Sequence, residues 1–286
     1  MEMLIPHRLT TLGHPQRLAL FRLLMRRYPD RLPAGEIAEA LGVKANTLSN
    51  YLSALMQAGL ITQHRDGRSL LYAIELGAVR ETFDFLLHDC CRGRPDICAP
   101  ISPLPGEAPA PAPEAGHKYN VLFICTGNSA RSIFAETLLR DRAGNRFNAY
   151  SAGTRPHSSL NPLALEVMKA HGHDVSTLRA KNVAEVSGPG APRFDFVFTV
   201  CNQAANEACP AWEGQPVSGH WGVPDPVKAE GSPAERRLAF HAAYGALKRR
   251  IDAFAALPFE ALDRIGLQSA VDRIGRDDPP PEKDPS

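Results

Sequence analysis

The chain has 286 residues, with 32 Lys+Arg against 31 Asp+Glu, 44% apolar residues, 25 prolines and six cysteines. At roughly 100–200 residues per domain, this length predicts two domains, each with its own core. The charge balance excludes a polybasic or polyacidic protein, so contact with nucleic acid has to come from a local patch.

No run of about 18 apolar residues is present to span a membrane. The opening Met-Glu-Met-Leu-Ile-Pro-His-Arg lacks the basic-then-apolar order of a secretory signal. Six cysteines in a long chain read as reactive or ligating thiols rather than as a disulfide scaffold. A cytoplasmic protein with thiol chemistry is expected.

Helical spacing runs from Leu9 to Arg27, with Leu12, Leu20, Leu23 and Leu24 on one face. Two short helices follow, Ala34–Leu41 and Ala45–Ala58, with Gly42 suited to the left-handed residue that ends the first. Leu48, Leu52 and Leu55 point inward, leaving Thr47, Ser49, Asn50 and Tyr51 toward solvent. With Lys44, Ala45 and Asn46 at the helix start, this surface fits a recognition helix that reaches base edges. Leu60 to Tyr72 reads as two alternating strands around Asp66-Gly67, with Arg65 and Arg68 at the tip to meet phosphates. The alternative is a three-helix domain whose hairpin only mediates protein contacts.

The stretch resembles the ArsR/SmtB family of winged-helix, metal- or metalloid-responsive repressors. The resemblance lies in Leu12-Gly13-His14-Pro15-Gln16-Arg17, Ile37-Ala38-Glu39-Ala40-Leu41-Gly42, Thr47-Leu48-Ser49-Asn50-Tyr51-Leu52 and Gly59-Leu60-Ile61. It implies a homodimer, formed through this domain, on a near-palindromic operator and released by an inducer. Where many arsenic-sensing members carry Cys-Val-Cys, this chain has Leu32-Pro33-Ala34-Gly35. Cys90, Cys91 and Cys98 form a different cluster, and three thiolates suit the pyramidal coordination of trivalent arsenic or antimony. Zinc would want a fourth ligand. Some members of the family sense arsenite through such a C-terminal cluster; the alternative is three ordinary cysteines.

Residues 99–117 carry six prolines and cannot form a helix or a central strand, so they read as a semi-stiff linker. The expected organisation is a mainly α, winged helix-turn-helix domain at 1–98, the linker, an α/β domain at 118–258, and a short helix with a disordered tail at 259–286. The second core is expected to end near Leu257-Pro258.

In the α/β domain the strand Asn120–Ile124 runs into Cys125-Thr126-Gly127-Asn128-Ser129-Ala130-Arg131-Ser132, followed by a helix from Ile133 to Arg142. Strand, glycine-containing loop and helix form an anion cradle in which backbone amides and the helix dipole face the ligand. Thr126 to Arg131 would line it. Cys125 at its base is expected to fall below the free thiol value of about 8.5. Arg131 can fork onto two oxyanion oxygens, Ser132 can donate to the sulfur, and Asn128 can hold the loop. The Gly-Lys-Ser/Thr ending of a nucleotide loop is absent. His117, His157, His171 and His173 show no ligand pattern.

The loop resembles that of low-molecular-weight tyrosine phosphatases and of the arsenate reductases built on their fold, over about residues 118–257. That fold implies a parallel sheet with helices on both faces. A reductase must also deliver two electrons, and Cys201, at a strand's C-terminal edge, with Cys209 beyond it, can supply them. Asp225, in an Asp-Pro, is the candidate general acid. The wording Trp221-Gly222-Val223-Pro224-Asp225-Pro226, with Cys201 and Cys209, is similar to the thioredoxin-coupled arsenate reductases. Val227, Lys228 and Ala229 stand where phosphatases place aromatic residues, which suits a small inorganic oxyanion. Ala130 replaces a cysteine common in both relatives, and the later cysteines lie one residue further apart. Glu136 and Ser151 match positions that order the loop in some relatives.

The resemblances together imply an arsenite-responsive repressor joined to an arsenate reductase with a Cys125–Cys201–Cys209 relay. It would need no catalytic cofactor, and thioredoxin or an equivalent thiol donor would reduce it. The rivals are a tyrosine phosphatase fused to a DNA-binding regulator, and a repressor whose second domain only senses an oxyanion.

Overall fold

A computed structural model of the chain describes residues 4–90, 118–188, 190–207, 212 and 216–276. The chain divides into two compact units, Met1–Gly116 and His117–Ser286.

The first unit holds α1 (Leu4–Leu12), α2 (Pro15–Arg27), β1 (Leu32–Pro33), α3 (Ala34–Leu41), α4 (Ala45–Gln57), β2 (Ile61–Asp66), β3 (Ser69–Ile74) and α5 (Leu76–Phe85). The helix expected from Leu9 to Arg27 is two helices. Pro15 cannot donate to a continuing ladder, and the His14 ring instead accepts from the Gln16 amide at 3.2 Å. Gly42 ends α3 at φ +64°, where a left-handed residue leaves the carbonyls of the last turn bonded. Leu48, Leu52 and Leu55 of α4 are buried with Leu20, Leu23 and Leu24 of α2. β2 and β3 form the expected hairpin, Asp66 opposite Ser69, with Gly67 at φ +56° in the turn. β1 adds a third strand in the order β1-β3-β2, which its two residues gave no pattern to foresee. Arg8 is buried yet fully engaged, donating to the carbonyls of Ala58 and Ala78 and to Glu81.

The second unit holds β4 (Tyr119–Cys125), α6 (Arg131–Ala143), β5 (Phe147–Gly153), α7 (Pro162–Ala170), β6 (Phe196–Thr199), α8 (Asn202–Asn206), β7 (Val217–His220), α9 (Pro233–Ala255) and α10 (Arg264–Arg276). The four strands are parallel in the order β5-β4-β6-β7. Val121, Leu122, Phe123 and Ile124 of β4 are all inaccessible to solvent, as a central strand covered on both faces requires. The chain passes from β4 to β5 on one side and later to β6 on the other. The crevice beyond the carboxyl end of β4 is therefore the switch point of the sheet. A capping box of Ser232 and Glu235, with Pro233 in the first turn, starts α9.

The second core does not end near Pro258. Phe259, Val271 and Ile274 belong to it, and α10 lies along the edge strand β7. There the Gln268 amide donates to the Ser218 carbonyl at 2.7 Å, and the Trp221 indole donates to the Val271 carbonyl at 3.2 Å. Among the described residues no helix is long and apolar enough to cross a membrane.

Candidate active site at the switch point

Cys125 is the last residue of β4, and the loop from Thr126 to Ala130 leads into α6. A second loop, after β5, runs beside it. The backbone amides of Thr154, Arg155, His157 and Asn161 donate to the carbonyls of Cys125, Thr126, Gly127 and Ser129 at 2.9–3.1 Å. Those bonds turn the loop's carbonyls outward, toward its neighbour. Gly153 permits the approach, since a Cβ there would lie 2.7 Å from the Thr126 carbonyl oxygen.

The result is a cavity of about 350 Å³ lined by Cys125, Thr126, Gly127, Ser129, Ala130 and Arg131 from the loop, with Asp225 opposite. Asn128 does not line it. Fully buried at φ +43°, it donates from its side chain to Ser132 and Ser151 at 2.8 Å each, and its side-chain oxygen accepts from the Lys181 amide at 2.7 Å. The Ser132 hydroxyl accepts from Asn128 and lies 2.9 Å from the Cys125 sulfur, within reach to donate its proton to the thiolate.

The thiol itself departs from expectation. Burial pushes Cys125 above its ordinary value and nearby Cys201 adds to the rise, while Ser132 and Arg131 pull the other way without prevailing. The expectation of a lowered value counted the positive potential of the cradle but not the burial of the sulfur or the approach of Cys201. The Asn128 amide donates to the Cys125 sulfur at 3.1 Å and the Ser132 amide also holds the value down, but burial outweighs both.

Arg131 binds Asp225 at 2.8 Å and the Val223 carbonyl at 3.1 Å. Asp225 also accepts from the Val227 amide, fixing the Asp-Pro turn. Cys201 is buried and caps α8, its sulfur 3.5 Å from the Thr126 hydroxyl. Parallel pairing of Ile124 with Thr199 brings the two strand ends level. Beneath the loop, Ser151 donates to Glu136, and Lys181 closes on Glu136 at 2.9 Å.

Sequence reasoning missed Lys181, Arg155 and the place of His157, which lines the cavity against Gly127. Arg155 and His157 had one signal, their place just after the carboxyl end of β5; Lys181, beyond α7, had none. His173, by contrast, sits between Asp141 and Tyr244 at 2.6 and 2.7 Å. Cys209 lies outside the described residues.

In the first unit, Lys44, Ala45, Asn46, Ser49, Asn50, Arg65 and Arg68 are exposed and Thr47 is half-buried. Tyr51 is half-buried against the core, its ring 5.3 Å from that of His14, rather than turned freely to solvent. Cys90 is exposed; Cys91 and Cys98 lie outside the described residues.

A buried cysteine in an anion loop at a parallel-sheet switch point, faced by arginine and aspartate, defines an enzyme of thiol-based oxyanion chemistry. Residues 120–265, slightly more than half the chain, match the family described as low molecular weight phosphotyrosine protein phosphatase, and the chain belongs to it. Residues 12–64 match a helix-turn-helix domain, so the protein joins such a domain to the phosphatase-like one. The second unit is similar to an arsenate reductase of Bacillus licheniformis, 36% identical over 139 residues (48% of this chain, 96% of that protein). One from Halalkalibacterium halodurans is 35% identical over 139 residues, 49% and 96% of the respective chains. The solved arsenate reductase of Archaeoglobus fulgidus is 23% identical with a TM-score of 0.37, covering 46% of this chain and 98% of that one.

Proposed function

We propose that the protein is an arsenate reductase joined to an arsenite-responsive, DNA-binding repressor. The observation that carries the reductase reading is the second buried thiol, Cys201, held against the Cys125 loop through Thr126; hydrolysis of a phosphate ester has no use for it. Similarity to arsenate reductases across almost their whole length supports the same reading.

Arsenate enters the cradle of amides and Arg131. The Cys125 thiol gives its proton to the bound arsenate dianion and the thiolate attacks arsenic: a sulfur–arsenic bond forms, an arsenic–oxygen bond breaks, and Asp225 protonates the departing oxygen so that water leaves. The Cys201 thiolate then attacks the Cys125 sulfur. A disulfide forms, the sulfur–arsenic bond breaks, and its electron pair stays on arsenic, which leaves as arsenite. Cys209 displaces Cys125 to give a 201–209 disulfide, which a dithiol donor such as thioredoxin reduces. Arsenite, the product, is the inducer that Cys90, Cys91 and Cys98 would bind to release operator DNA from a homodimer.

An arsenate-reduction assay with thioredoxin, thioredoxin reductase and NADPH tests the relay. Cys125→Ser, Cys201→Ser and Cys209→Ser are each expected to abolish multiple turnover, and full turnover by Cys201→Ser would overturn it. Hydrolysis of an aryl phosphate that survives loss of Cys201 and Cys209, without arsenate reduction, would establish the phosphatase instead. Arsenite is expected to release DNA from the wild type and not from the triple Cys90, Cys91, Cys98 variant.

A further inference from the structure

One buried histidine near Cys201 takes no part in the chemistry above. His220, the last residue of β7, is 1% exposed and pairs across the sheet with Thr199. Its Nδ1 lies 2.7 Å from the Thr199 hydroxyl and its Nε2 3.2 Å from the Asn202 side-chain oxygen. Both bonds are satisfied when Thr199 donates to Nδ1 and Nε2–H donates to Asn202.

Thr199 stands two residues before Cys201 and Asn202 one after it, so the imidazole bonds side chains on both sides of that cysteine. The neighbouring glycine makes room: a Cβ on Gly222 would lie 2.6 Å from both Asn202 Oδ1 and His220 Nε2. The amides of Trp221 and Val223 donate to the carbonyls of Thr199 and Val200, holding the same strand end.

We propose that His220 is a positioning residue for Cys201. Its bridge from Thr199 to Asn202 fixes the turn from β6 into α8, keeping the Cys201 sulfur beside Thr126 and directed at the Cys125 loop. The inference rests on the relay proposed above and concerns its second step, in which Cys201 attacks the Cys125 sulfur and the electron pair of the sulfur–arsenic bond stays on arsenic. That displacement demands alignment of three atoms, and an error of about 1 Å in such a geometry slows reaction by as much as ~100-fold. Arsenate binding, made by other residues, is left alone.

The test uses the full chain in a Cys209→Ser background, where the 125–201 disulfide accumulates. Its formation is followed by rapid quench and mass spectrometry, driven either by arsenate or by diamide, an azo oxidant that takes two hydrogens from the thiol pair and is itself reduced to the hydrazine. Asn202 is exposed, so Asn202→Ala loses the bridge without opening the core. With either oxidant, Asn202→Ala and His220→Phe are expected to slow disulfide formation at least about tenfold, with half-saturation by arsenate unchanged. His220→Gln, whose amide can accept from Thr199 and donate to Asn202, is expected to stay within about threefold. Wild-type rates in Asn202→Ala with both oxidants would overturn the proposal, whether or not His220→Phe folds. Disulfide formed by diamide, slowed in the variants, but not formed by arsenate in any protein would sink the relay and leave the role of His220 standing.

Discussion

Arg131 and Asp225 form a direct ion pair across the cavity, 2.8 Å between Nη2 and Oδ2, with side chains 12% and 26% exposed. The cation expected to grip the oxyanion is thus already shared with the expected acid, and an incoming oxyanion competes with Asp225 for it. Asp225→Asn removes the competitor and the acid together. Phosphate is then expected to inhibit at several-fold lower concentration, while arsenate turnover falls by about 10²–10⁴, the usual worth of a general acid. Steady-state kinetics with phosphate as inhibitor checks both; unchanged turnover would remove Asp225 from the chemistry.

Cys125 is held above the ordinary thiol value by burial first and Cys201 second. A neutral alkylating reagent reads the thiolate, and a raised value means a small thiolate fraction at pH 7 that grows as pH rises. The rate of Cys125 alkylation by iodoacetamide is therefore expected to climb through pH 9 without reaching a plateau below it. Cys201→Ser removes one cause of the rise and shifts the profile to lower pH; Ser132→Ala removes a stabilising donor and shifts it higher. Peptide mapping across pH 6–10 decides the matter, and a plateau near pH 7 would restore the sequence-based expectation.

Asn128 joins Ser132, Ser151 and the Lys181 backbone from a fully buried, left-handed position. Asn128→Ala leaves buried partners unsatisfied and puts a Cβ residue at positive φ without asparagine's local bonding. A cost of roughly 2–4 kcal/mol is expected, since each stranded buried polar group costs about 1–3 kcal/mol. Both tryptophans, Trp212 and Trp221, belong to the second unit, so denaturation followed by tryptophan fluorescence reports that unit alone. A loss under about 0.5 kcal/mol, the range of ordinary surface changes, would contradict a loop held from below.

What was legible in the sequence was whatever local chemistry encodes. The apolar run Val121–Ile124 announced a buried strand, Cys125 to Ser132 an anion loop, and Asp66-Gly67 a hairpin. Parallel pairing then placed Cys201 beside Cys125, because Cys125 ends β4 and Cys201 follows β6 at the same edge of the sheet. The break at Gly13-His14 was overlooked because apolar spacing continues across it, although Pro15 marked it. Packing across long separations left no local trace: Lys181 reaches Glu136 over 45 residues, and α10 closes the edge of β7 from 50 residues away. The Cys125 shift was missed for a different reason. Burial of the sulfur and the approach of Cys201 raise the value, and both arise only once the strands have paired and the core has closed.

Arg65 and Arg68 are exposed at and beside the hairpin turn, where Arg65 donates to the Gly67 carbonyl at 3.3 Å. If the hairpin is a wing on the DNA backbone, each arginine neutralises a phosphate and releases a counterion. Arg65→Ala and Arg68→Ala are then each expected to lower the slope of log affinity against log salt by about 0.9. Fluorescence anisotropy with a labelled duplex between low and moderate salt measures it. The same changes should weaken binding to all duplexes alike, because phosphate contacts carry no base information. Asn50→Ala, on the exposed face of α4, should instead alter preference among duplexes and leave the slope nearly intact. A salt slope unmoved by either arginine change would make the hairpin a protein contact, and the helix-turn-helix would have to hold DNA without a wing.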